Sequence, residues 1–283
     1  MDAISTNRKI TLNNNSQFPC FGFGTYQMRK KTELENAINE AYKSGYRLFD
    51  TAKMYGNEKI IGDAIKKYKI PREEIFITTK VPPEDMSYDR AKKAIENSLN
   101  KLQTKYIDLV LVHWPGVSKE SERLEVWKAL EESVDEKKVK MIGVSNFLKP
   151  HLEQILKNCK IKPVINQIEC NPIYWDKETI EFSKNNNIVI ESYCPLAEWD
   201  SKLVENEVIK KIAANKGKSV AQIILRWLLQ KEVIPLPKSG NKAHIKENIN
   251  INDFQLTDGE MNEINELNKI NYKVDWDPHH LLK

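Results

Sequence analysis

One stretch of the chain places an acid and a phenol directly after a short apolar run: Leu48-Phe49-Asp50-Thr51-Ala52-Lys53-Met54-Tyr55-Gly56-Asn57-Glu58. The apolar run that ends at Phe49 predicts a buried strand, so Asp50 lies at its carboxyl end. Gly56 allows the backbone to turn, and Asn57 is the predicted N-cap of a helix over residues 58–68. Strand-to-helix loops of this kind often carry catalytic residues, and a tyrosine hydroxyl placed there can donate a proton.

The same strand-to-helix pattern recurs along most of the chain. Short apolar runs alternate with amphipathic helices, and such runs indicate strands buried on both faces of a parallel sheet. The predicted strands cover residues 20–25, 47–49, 75–79, 107–112, 139–144, 164–168, 188–191 and 233–236. Eight units in 283 residues predict a closed (β/α)8 TIM barrel. An open doubly wound sheet is the alternative, but Gly22-Phe23-Gly24 lacks the third glycine of its dinucleotide-binding fingerprint.

Two segments flank this repeated pattern. Residues 9–18 predict an N-terminal β-hairpin, because the asparagines in their middle tolerate the left-handed backbone of a tight turn. Residues 271–283 show no regular pattern, and we expect an irregular C-terminal tail over one face of the barrel. No linker rich in proline, glycine or serine interrupts residues 1–283, so we predict a single domain.

Composition and charge are those of a globular protein. Hydrophobic residues make up 40% of the chain and charged residues 30%, and the net charge of +4 is spread out, so we expect no nucleic-acid partner. The four cysteines form no C-x-x-C pair, which indicates a reducing compartment and no metal. Residues 1–9 lack the apolar core of a secretory signal, and no apolar run reaches the ~20 residues of a membrane span. We therefore expect a cytoplasmic monomer.

Ionisable side chains stand at the carboxyl ends of three consecutive predicted strands: Asp50, Lys80 and His113. In a parallel barrel these ends meet at one face, together with Tyr55 from the first loop. We expect Lys80 to lower the pKa of the Tyr55 hydroxyl, Asp50 to hold Lys80, and His113 to donate a hydrogen bond to a substrate oxygen. Each residue also has a structural interpretation, as an ion pair, a core histidine or a rim aromatic. Their convergence on one face favours the catalytic interpretation.

Further motifs follow at the later strand ends. The full set is Phe49-Asp50-Thr51-Ala52-x-x-Tyr55-Gly56-Asn57-Glu58, Thr79-Lys80, His113-Trp114-Pro115, Gly143-Val144-Ser145-Asn146-Phe147, Asn166-Gln167-Ile168-Glu169 and Pro237-Lys238-Ser239. In this order they resemble the aldo-keto reductase family over about residues 10–248. The short chain is similar to the small bacterial members related to diketogluconate and methylglyoxal reductases. The resemblance implies reduction of aldehydes and ketones with NADPH, with Tyr55 as the general acid assisted by Lys80, Asp50 and His113.

The resemblance also implies a site for NADPH. Ser145, Asn146 and Gln167 match the positions that hold the nicotinamide carboxamide, and Tyr193 matches the aromatic residue that stacks on the nicotinamide ring. Thr25 is implied to lie near the ribose and diphosphate. The other positions assigned to the cofactor are Tyr26, Asp50, Cys194, Pro195 and Leu196; Lys238, Ser239, Gly240, Asn241 and His244 around the 2′-phosphate; and Glu247 and Asn248 near the adenine.

Two residues depart from the family pattern on the cofactor side. Cys194 replaces the usual serine, so a thiol lies beside the diphosphate, either as a tolerated isostere or as an oxidisable group. His244 stands where an arginine is usual, and a neutral imidazole is a weaker phosphate partner than a guanidinium. Lys238 and Ser239 remain, so we expect NADPH as the cofactor and leave NADH use open.

The substrate pocket is expected to be apolar and partly aromatic, which suits small aldehydes, dicarbonyls and ketones. Its predicted residues are Tyr26, Met54, His113 and Trp114, with Pro82 beside them and Trp199 or Trp276 as a roof. Two other functions stay open at this point. One is a non-catalytic barrel subunit that senses a nicotinamide nucleotide, and the other is a lyase that forms a Schiff base on Lys80.

Overall fold

The computed structural model describes residues 5–116 and 120–282, and its centre is a parallel sheet of eight strands in sequential order. An antiparallel hairpin of two short strands, β1 (Lys9–Thr11) and β2 (Gln17–Pro19), precedes this sheet. The sheet consists of β3 (Gly22–Gly24), β4 (Leu48–Asp50), β5 (Phe76–Val81), β6 (Ile107–Val112), β7 (Val139–Ser145), β8 (Ile165–Glu169), β9 (Val189–Tyr193) and β10 (Ile234–Pro235). The predicted strands agree with these bounds to within one or two residues.

The first and last strands of the sheet meet and close it into a barrel. The Gly24 amide donates to the Pro237 carbonyl oxygen at 3.0 Å, just beyond the end of β10. This approach requires glycine, because a Cβ atom at Gly24 would lie 2.8 Å from the Leu236 carbonyl oxygen. The predicted (β/α)8 barrel is thereby confirmed, and the open doubly wound sheet is wrong.

Helices surround the barrel and return the chain from each strand to the start of the next. Within residues 5–116 and 120–282, none of them has the length and apolar composition of a membrane-spanning segment. The helices are α1 (Lys31–Lys43), α2 (Glu58–Lys67), α3 (Tyr88–Leu102), α4 (Glu120–Asp135), α5 (Lys149–Asn158), α6 (Lys177–Asn185), α7 (Ser201–Val204), α8 (Glu207–Lys216), α9 (Val220–Gln230), α10 (Lys242–Ile249) and α11 (Asp258–Asn265).

The hairpin closes the amino-terminal end of the barrel. Its side chains Leu12 and Phe18 are buried and join an apolar cluster inside the barrel that includes Leu48 and Leu109. The rings of Phe18 and Phe76 meet edge-on, with centroids 5.6 Å apart. A second and larger apolar layer lies between the sheet and the helices. Because apolar side chains fill the amino-terminal end, the polar strand ends collect at the opposite, carboxyl-terminal end of the barrel.

Asn57 precedes α2, but its side chain does not cap that helix. The side-chain oxygen instead accepts a hydrogen bond from the Thr51 hydroxyl at 2.6 Å. The side-chain nitrogen donates to the backbone carbonyls of Thr25 at 2.9 Å and Met28 at 3.2 Å. Asn57 is therefore the N-cap residue of α2, as predicted, but its side chain bridges two loops instead of accepting a hydrogen bond from the helix amides.

The C-terminal segment lies across the carboxyl-terminal face of the barrel, as expected of the tail. The backbone amides of Val274 and Asp275 donate to the carboxylate of Glu169, at the end of β8, at 2.8 and 2.9 Å. The Lys273 ammonium lies 2.8 Å from the same carboxylate. Most of this segment is irregular, and residues Pro278–Leu282 form a 3-10 turn. Lys283, included in the predicted tail, lies outside the described residues.

Candidate active site

Asp50 and Lys80 form a buried ion pair at the carboxyl-terminal end of the barrel. The strands β4 and β5 are neighbours, and their register sets Asp50 opposite Thr78. Lys80 stands two residues further along β5, so its side chain points to the same side of the sheet as that of Thr78. The Lys80 ammonium lies 2.7 and 2.8 Å from the two Asp50 carboxylate oxygens and 3.0 Å from the Thr51 carbonyl oxygen. The ammonium is therefore held on one side by three oxygen atoms.

Tyr55 approaches the same ammonium from the loop after β4. A single 3-10 turn delivers it, and Gly56 ends the turn with a φ of 69°, which glycine adopts without strain. The phenol oxygen lies 3.3 Å from the Lys80 ammonium nitrogen. The Tyr55 ring also contacts Tyr26 and His113, with ring centroids 5.0 and 5.8 Å away. The four residues predicted to be catalytic therefore lie together.

The Tyr55 hydroxyl is protonated at neutral pH. Its burial and the nearby Asp50 carboxylate raise the pKa of Tyr55 well above its usual range. The expectation of a lowered Tyr55 pKa is therefore wrong, because burial and Asp50 outweigh the opposing effect of the Lys80 charge. Asp50 balances the charge of the Lys80 ammonium at 2.7 Å, and burial penalises a phenolate. The phenol can act as a proton donor, but not as a ready base.

His113 presents a neutral imidazole to the site. Burial and the charge of Lys80 hold the pKa of His113 well below its usual range. Its backbone amide donates to the Val81 carbonyl at 2.9 Å, and its own carbonyl accepts from the Asn146 side chain at 3.0 Å. The Nδ1 atom is buried and has no partner among the described residues, so a fully hydrogen-bonded core histidine does not fit. A neutral imidazole carries one N–H group that can donate to a ligand.

Four residues predicted to contact the nicotinamide form one cluster at the ends of β7, β8 and β9. The Ser145 hydroxyl donates to the Gln167 carbonyl oxygen at 2.9 Å. Asn146 has a φ of 62°, and its side-chain oxygen accepts a hydrogen bond from the Tyr193 hydroxyl at 2.7 Å. The structure thus brings together Ser145, Asn146, Gln167 and Tyr193 beside His113.

Gln167 also links the ion pair to an acid that the sequence-based prediction did not include. Its side-chain nitrogen lies 2.9 Å from an Asp50 oxygen and 2.9 Å from an oxygen of Glu191. Burial and the Asp50 charge raise the pKa of Glu191 to about 8. The signal in the sequence was an acid directly after the apolar run of residues 188–190, at an alternate position that points into the barrel.

The residues predicted to hold the 2′-phosphate lie at the surface beyond β10. Lys238 is exposed and makes no ion pair within the described parts of the chain. The Ser239 hydroxyl accepts from the Asn241 amide at 3.0 Å, and the Asn241 side chain caps α10 by accepting from the Ala243 amide at 2.8 Å. His244 is exposed on the first turn of α10. The loop is thus ordered by its own hydrogen bonds, and the lysine remains available for a ligand.

Other residues predicted to contact the cofactor are less accessible. Thr25 is buried and uses its hydroxyl to donate to the Asp50 carbonyl at 2.8 Å. Asn248 is buried and Glu247 is half-buried, whereas Gly240 is exposed and lies beside the Glu33 side chain. Thr25 therefore connects β3 to β4 at the edge of the site.

Cys194 follows Tyr193 in a loop with unusual backbone geometry. It has a φ of 45°, and residues 197–199 also have positive φ values. Burial raises the pKa of the Cys194 thiol well above its usual range. The group is therefore a thiol at neutral pH, which favours its interpretation as an isostere of serine over an oxidisable site. Pro195 is buried, and the half-buried Leu196 packs against the apolar core.

Large apolar side chains surround the catalytic residues at the surface. Tyr26 and Met54 are 45% and 47% exposed, which is unusual for apolar side chains in this otherwise well-buried protein. Trp276 from the C-terminal segment packs on Trp114 with ring centroids 4.9 Å apart. Trp199 is 59% exposed. Trp276 is thus in ring contact with Trp114, a predicted pocket residue.

Glu169 and Lys273 are further residues near the site that the prediction did not single out. Glu169 is fully buried, and Lys273 also lies 3.4 Å from the Tyr193 hydroxyl. No sequence signal paired them, because they are 104 residues apart. The described residues contain no group of three or more His, Cys, Asp or Glu side chains that could hold a metal ion.

Comparison with known proteins agrees with this geometry. Residues 20–269 match the model of the aldo/keto reductase family. The 9,11-endoperoxide prostaglandin H2 reductase of Trypanosoma cruzi is 42% identical over 92% of this chain and 91% of that protein. The glyoxal reductase of Bacillus subtilis is 42% identical, with 92% of each chain covered.

Solved structures give the same result. An aldo-keto reductase from a Medee basin deep-sea metagenome library has a TM-score of 0.91 and 39% identity, and the alignment covers 95% of this chain and 97% of that one. A Bombyx mori aldo-keto reductase in complex with NADP has a TM-score of 0.87 and 33% identity, with 94% of each chain covered. The matched family model and the similarity of these proteins show that this chain belongs to the aldo-keto reductase family.

Proposed function

We propose that this enzyme reduces aldehydes and ketones to alcohols with NADPH, and that Tyr55 is the general acid. The observation that carries the proposal is the contact of Tyr55 with the Asp50–Lys80 ion pair, where the phenol oxygen lies 3.3 Å from the Lys80 ammonium. His113 stands beside the phenol with its imidazole neutral. The similarity to a glyoxal reductase and to a reductase bound to NADP supports the same reaction.

The chemistry of the side chains fits NADPH. Amide groups on Asn146 and Gln167 suit the nicotinamide carboxamide, and the half-buried ring of Tyr193 suits its aromatic face. The exposed Lys238 ammonium makes no ion pair within residues 5–116 and 120–282, and it suits a phosphate. When bound, the dihydronicotinamide supplies a hydride to the carbonyl carbon of the substrate.

Tyr55 supplies the proton. Negative charge grows on the carbonyl oxygen as its carbon is reduced, and an alkoxide is a stronger base than a phenolate. Because the pKa of Tyr55 is raised by burial and by Asp50, the hydroxyl carries its proton at neutral pH. Lys80 stands 3.3 Å away and stabilises the phenolate that remains after the transfer.

His113 orients and polarises the carbonyl group. Its pKa is held well below the usual range by burial and by Lys80, so the ring donates a hydrogen bond through one N–H without carrying a charge. An N–H donor aimed at the carbonyl oxygen stabilises the charge that develops there. The exposed side chains of Tyr26 and Met54, together with the half-buried Trp114 and its partner Trp276, form the apolar surroundings of this oxygen.

The preference for NADPH over NADH rests on Lys238 in this proposal. His244 is exposed at the start of α10 and offers no guanidinium for a bidentate phosphate contact. We therefore expect the discrimination against NADH to be weaker than an arginine at this position would give.

A substrate panel tests the proposal. Methylglyoxal, glyoxal and an aromatic aldehyde are each mixed with the enzyme and NADPH, while NADPH absorbance is followed and the alcohol product is identified. The proposal predicts NADPH consumption matched by alcohol formation. Tight NADPH binding without turnover of any carbonyl compound would instead favour a nucleotide-sensing subunit. Trapping of substrate on Lys80 by borohydride would favour the Schiff-base reaction.

A further inference from the structure

Glu191 is a fully buried acid inside the barrel, and the proposed reaction does not use it directly. It stands on β9, paired in register with Gln167 on β8. The Gln167 side-chain nitrogen lies 2.9 Å from Glu191 Oε2 and 2.9 Å from Asp50 Oδ2. Two carboxyl groups, from β4 and β9, therefore share one amide nitrogen.

This shared contact orients the Gln167 amide, so that its nitrogen is occupied and its oxygen can accept a hydrogen bond from another group. A primary amide nitrogen carries two hydrogens, and two carboxyl groups within hydrogen-bond distance use one each. The amide oxygen is then the group left for another partner. With Asp50 alone, one N–H would be unpaired, and the amide would lose one of the two contacts that define its orientation.

We infer that Glu191 is a positioning residue for the reduction: together with Asp50 it holds the Gln167 amide so that its oxygen accepts a hydrogen bond from the nicotinamide carboxamide. The inference rests on the proposed function, because it assigns the free amide oxygen to the bound cofactor. The nicotinamide carboxamide has N–H donors. A Gln167 amide oxygen held in one orientation accepts from these donors better than the oxygen of a freely rotating amide would.

Glu191 performs this role as a neutral acid. Burial and the Asp50 carboxylate raise its pKa to about 8. The charged groups that face it are Asp50 from β4 and Lys80 from β5, the Gln167 amide comes from β8, and the apolar Ile234 is its partner on β10. Lys80 is already paired with Asp50, so a second carboxylate would have no counter-ion of its own. Glu191 Oε1 is buried without a partner among the described residues, which also disfavours an ionised group.

The test compares Glu191→Leu and Glu191→Gln in the wild-type enzyme and in a Gln167→Met background. The dissociation constant of NADPH is measured by quenching of tryptophan fluorescence. Glu191→Leu is expected to weaken binding about fivefold, the effect of one neutral hydrogen bond. Glu191→Gln keeps an acceptor for the Gln167 amide and is expected to stay within about twofold of the wild type. In the Gln167→Met background, Glu191→Leu is expected to change binding by less than about 1.5-fold.

Infrared spectroscopy gives a second readout that does not depend on binding. The wild type should show the carbonyl band of a protonated carboxylic acid at pH 7, and this band should disappear as the pH rises through about 8. Glu191→Gln should lack it. Absence of such a band in the wild type would overturn the neutral-acid role.

Different results would overturn the positioning role of Glu191 and the proposed function. Equal loss of NADPH affinity on Glu191→Leu in both backgrounds would show a general structural effect and overturn the inference, as would no loss in either. A wild-type enzyme that binds NADPH but reduces no carbonyl compound would overturn the proposed function. The NADPH dissociation constants of the variants would then decide the positioning role of Glu191 by themselves. A wild type that binds no NADPH would overturn both.

Discussion

The Lys80 ammonium lies within 2.8 Å of both carboxylate oxygens of Asp50, and both side chains are buried. The pair occupies the centre of the site, because Tyr55 contacts the ammonium and Gln167 contacts the carboxylate. A change in either partner should therefore affect protein stability and proton transfer together, since the uncompensated charge stays inside the barrel.

Replacing Lys80 with methionine should lower both stability and turnover, whereas replacing an ordinary surface lysine should change neither. The change leaves Asp50 buried and unpaired, so we expect a loss of about 3–5 kcal/mol in the free energy of unfolding. Turnover should fall at least about 100-fold, because the phenolate of Tyr55 loses its stabilising charge. Lys59→Met is the matched control, since Lys59 pairs with Asp63 at the surface. Equal effects in the two variants would contradict this account.

His113 should make the protein sensitive to acid. Its folded-state pKa is held well below the usual range by burial and Lys80, so the unfolded chain binds the proton first as the pH falls. Stability should therefore decrease below about pH 6.5. In His113→Gln, the part of this stability decrease that comes from protonation of His113 should be absent. The free energy of unfolding is measured by chemical denaturation at several pH values. The exposed His280→Gln is the control and should follow the wild type; a His113→Gln curve parallel to the wild type would refute the prediction.

Lys238 should determine the preference for NADPH. Lys238→Ala is expected to raise the KM for NADPH about tenfold, because a charge-assisted contact to phosphate is lost. The KM for NADH, which has no 2′-phosphate, should change less than about twofold. Lys242→Ala, an exposed lysine at the start of α10, is the control. A similar increase in KM for both cofactors would argue against a phosphate contact.

Glu169 should hold the C-terminal segment over the site. Its two oxygens accept from the Val274 and Asp275 amides and pair with Lys273, and a glutamine at 169 could not satisfy all three. Glu169→Gln should therefore accelerate hydrogen exchange at residues 274–275 by about tenfold or more. The apparent KM for a carbonyl substrate should rise, because Trp276 packs on Trp114.

An exposed pair provides the control for this experiment. Glu266 pairs with Lys269 at the surface, and Glu266→Gln should leave exchange at residues 274–275 unchanged. Unchanged exchange in the Glu169 variant would show that the segment is held by other contacts.

The strand ends were predictable from the sequence because parallel strands in a barrel share one active face. Asp50, Lys80 and His113 could be assigned to that face from their positions alone, and the loop after β4 adds Tyr55. The close approach of β3 to the chain after β10 depends on Gly24. The glycine is visible in the sequence, but its hydrogen-bond partner Pro237 could not be identified from the sequence.

The electrostatics were not predictable in the same way. Lys80 was expected to lower the pKa of Tyr55, but the direction depends on how far Asp50 cancels the lysine charge and how deeply the phenol is buried. The hydrogen-bond partners of Glu191 and Asn57 were not predictable either. Their partners are set by register and by loop packing, which bring together residues far apart in the chain.

The most direct test of the account is the turnover of Tyr55→Phe at saturating NADPH, compared with Tyr68→Phe, which removes a hydroxyl at the surface. NADPH affinity, measured in parallel by fluorescence, should stay within about threefold of the wild type in both variants. We expect Tyr55→Phe to lose about 100-fold to 10,000-fold in turnover, whereas Tyr68→Phe should keep wild-type rates. Wild-type turnover by Tyr55→Phe would contradict the assignment of Tyr55 as the general acid.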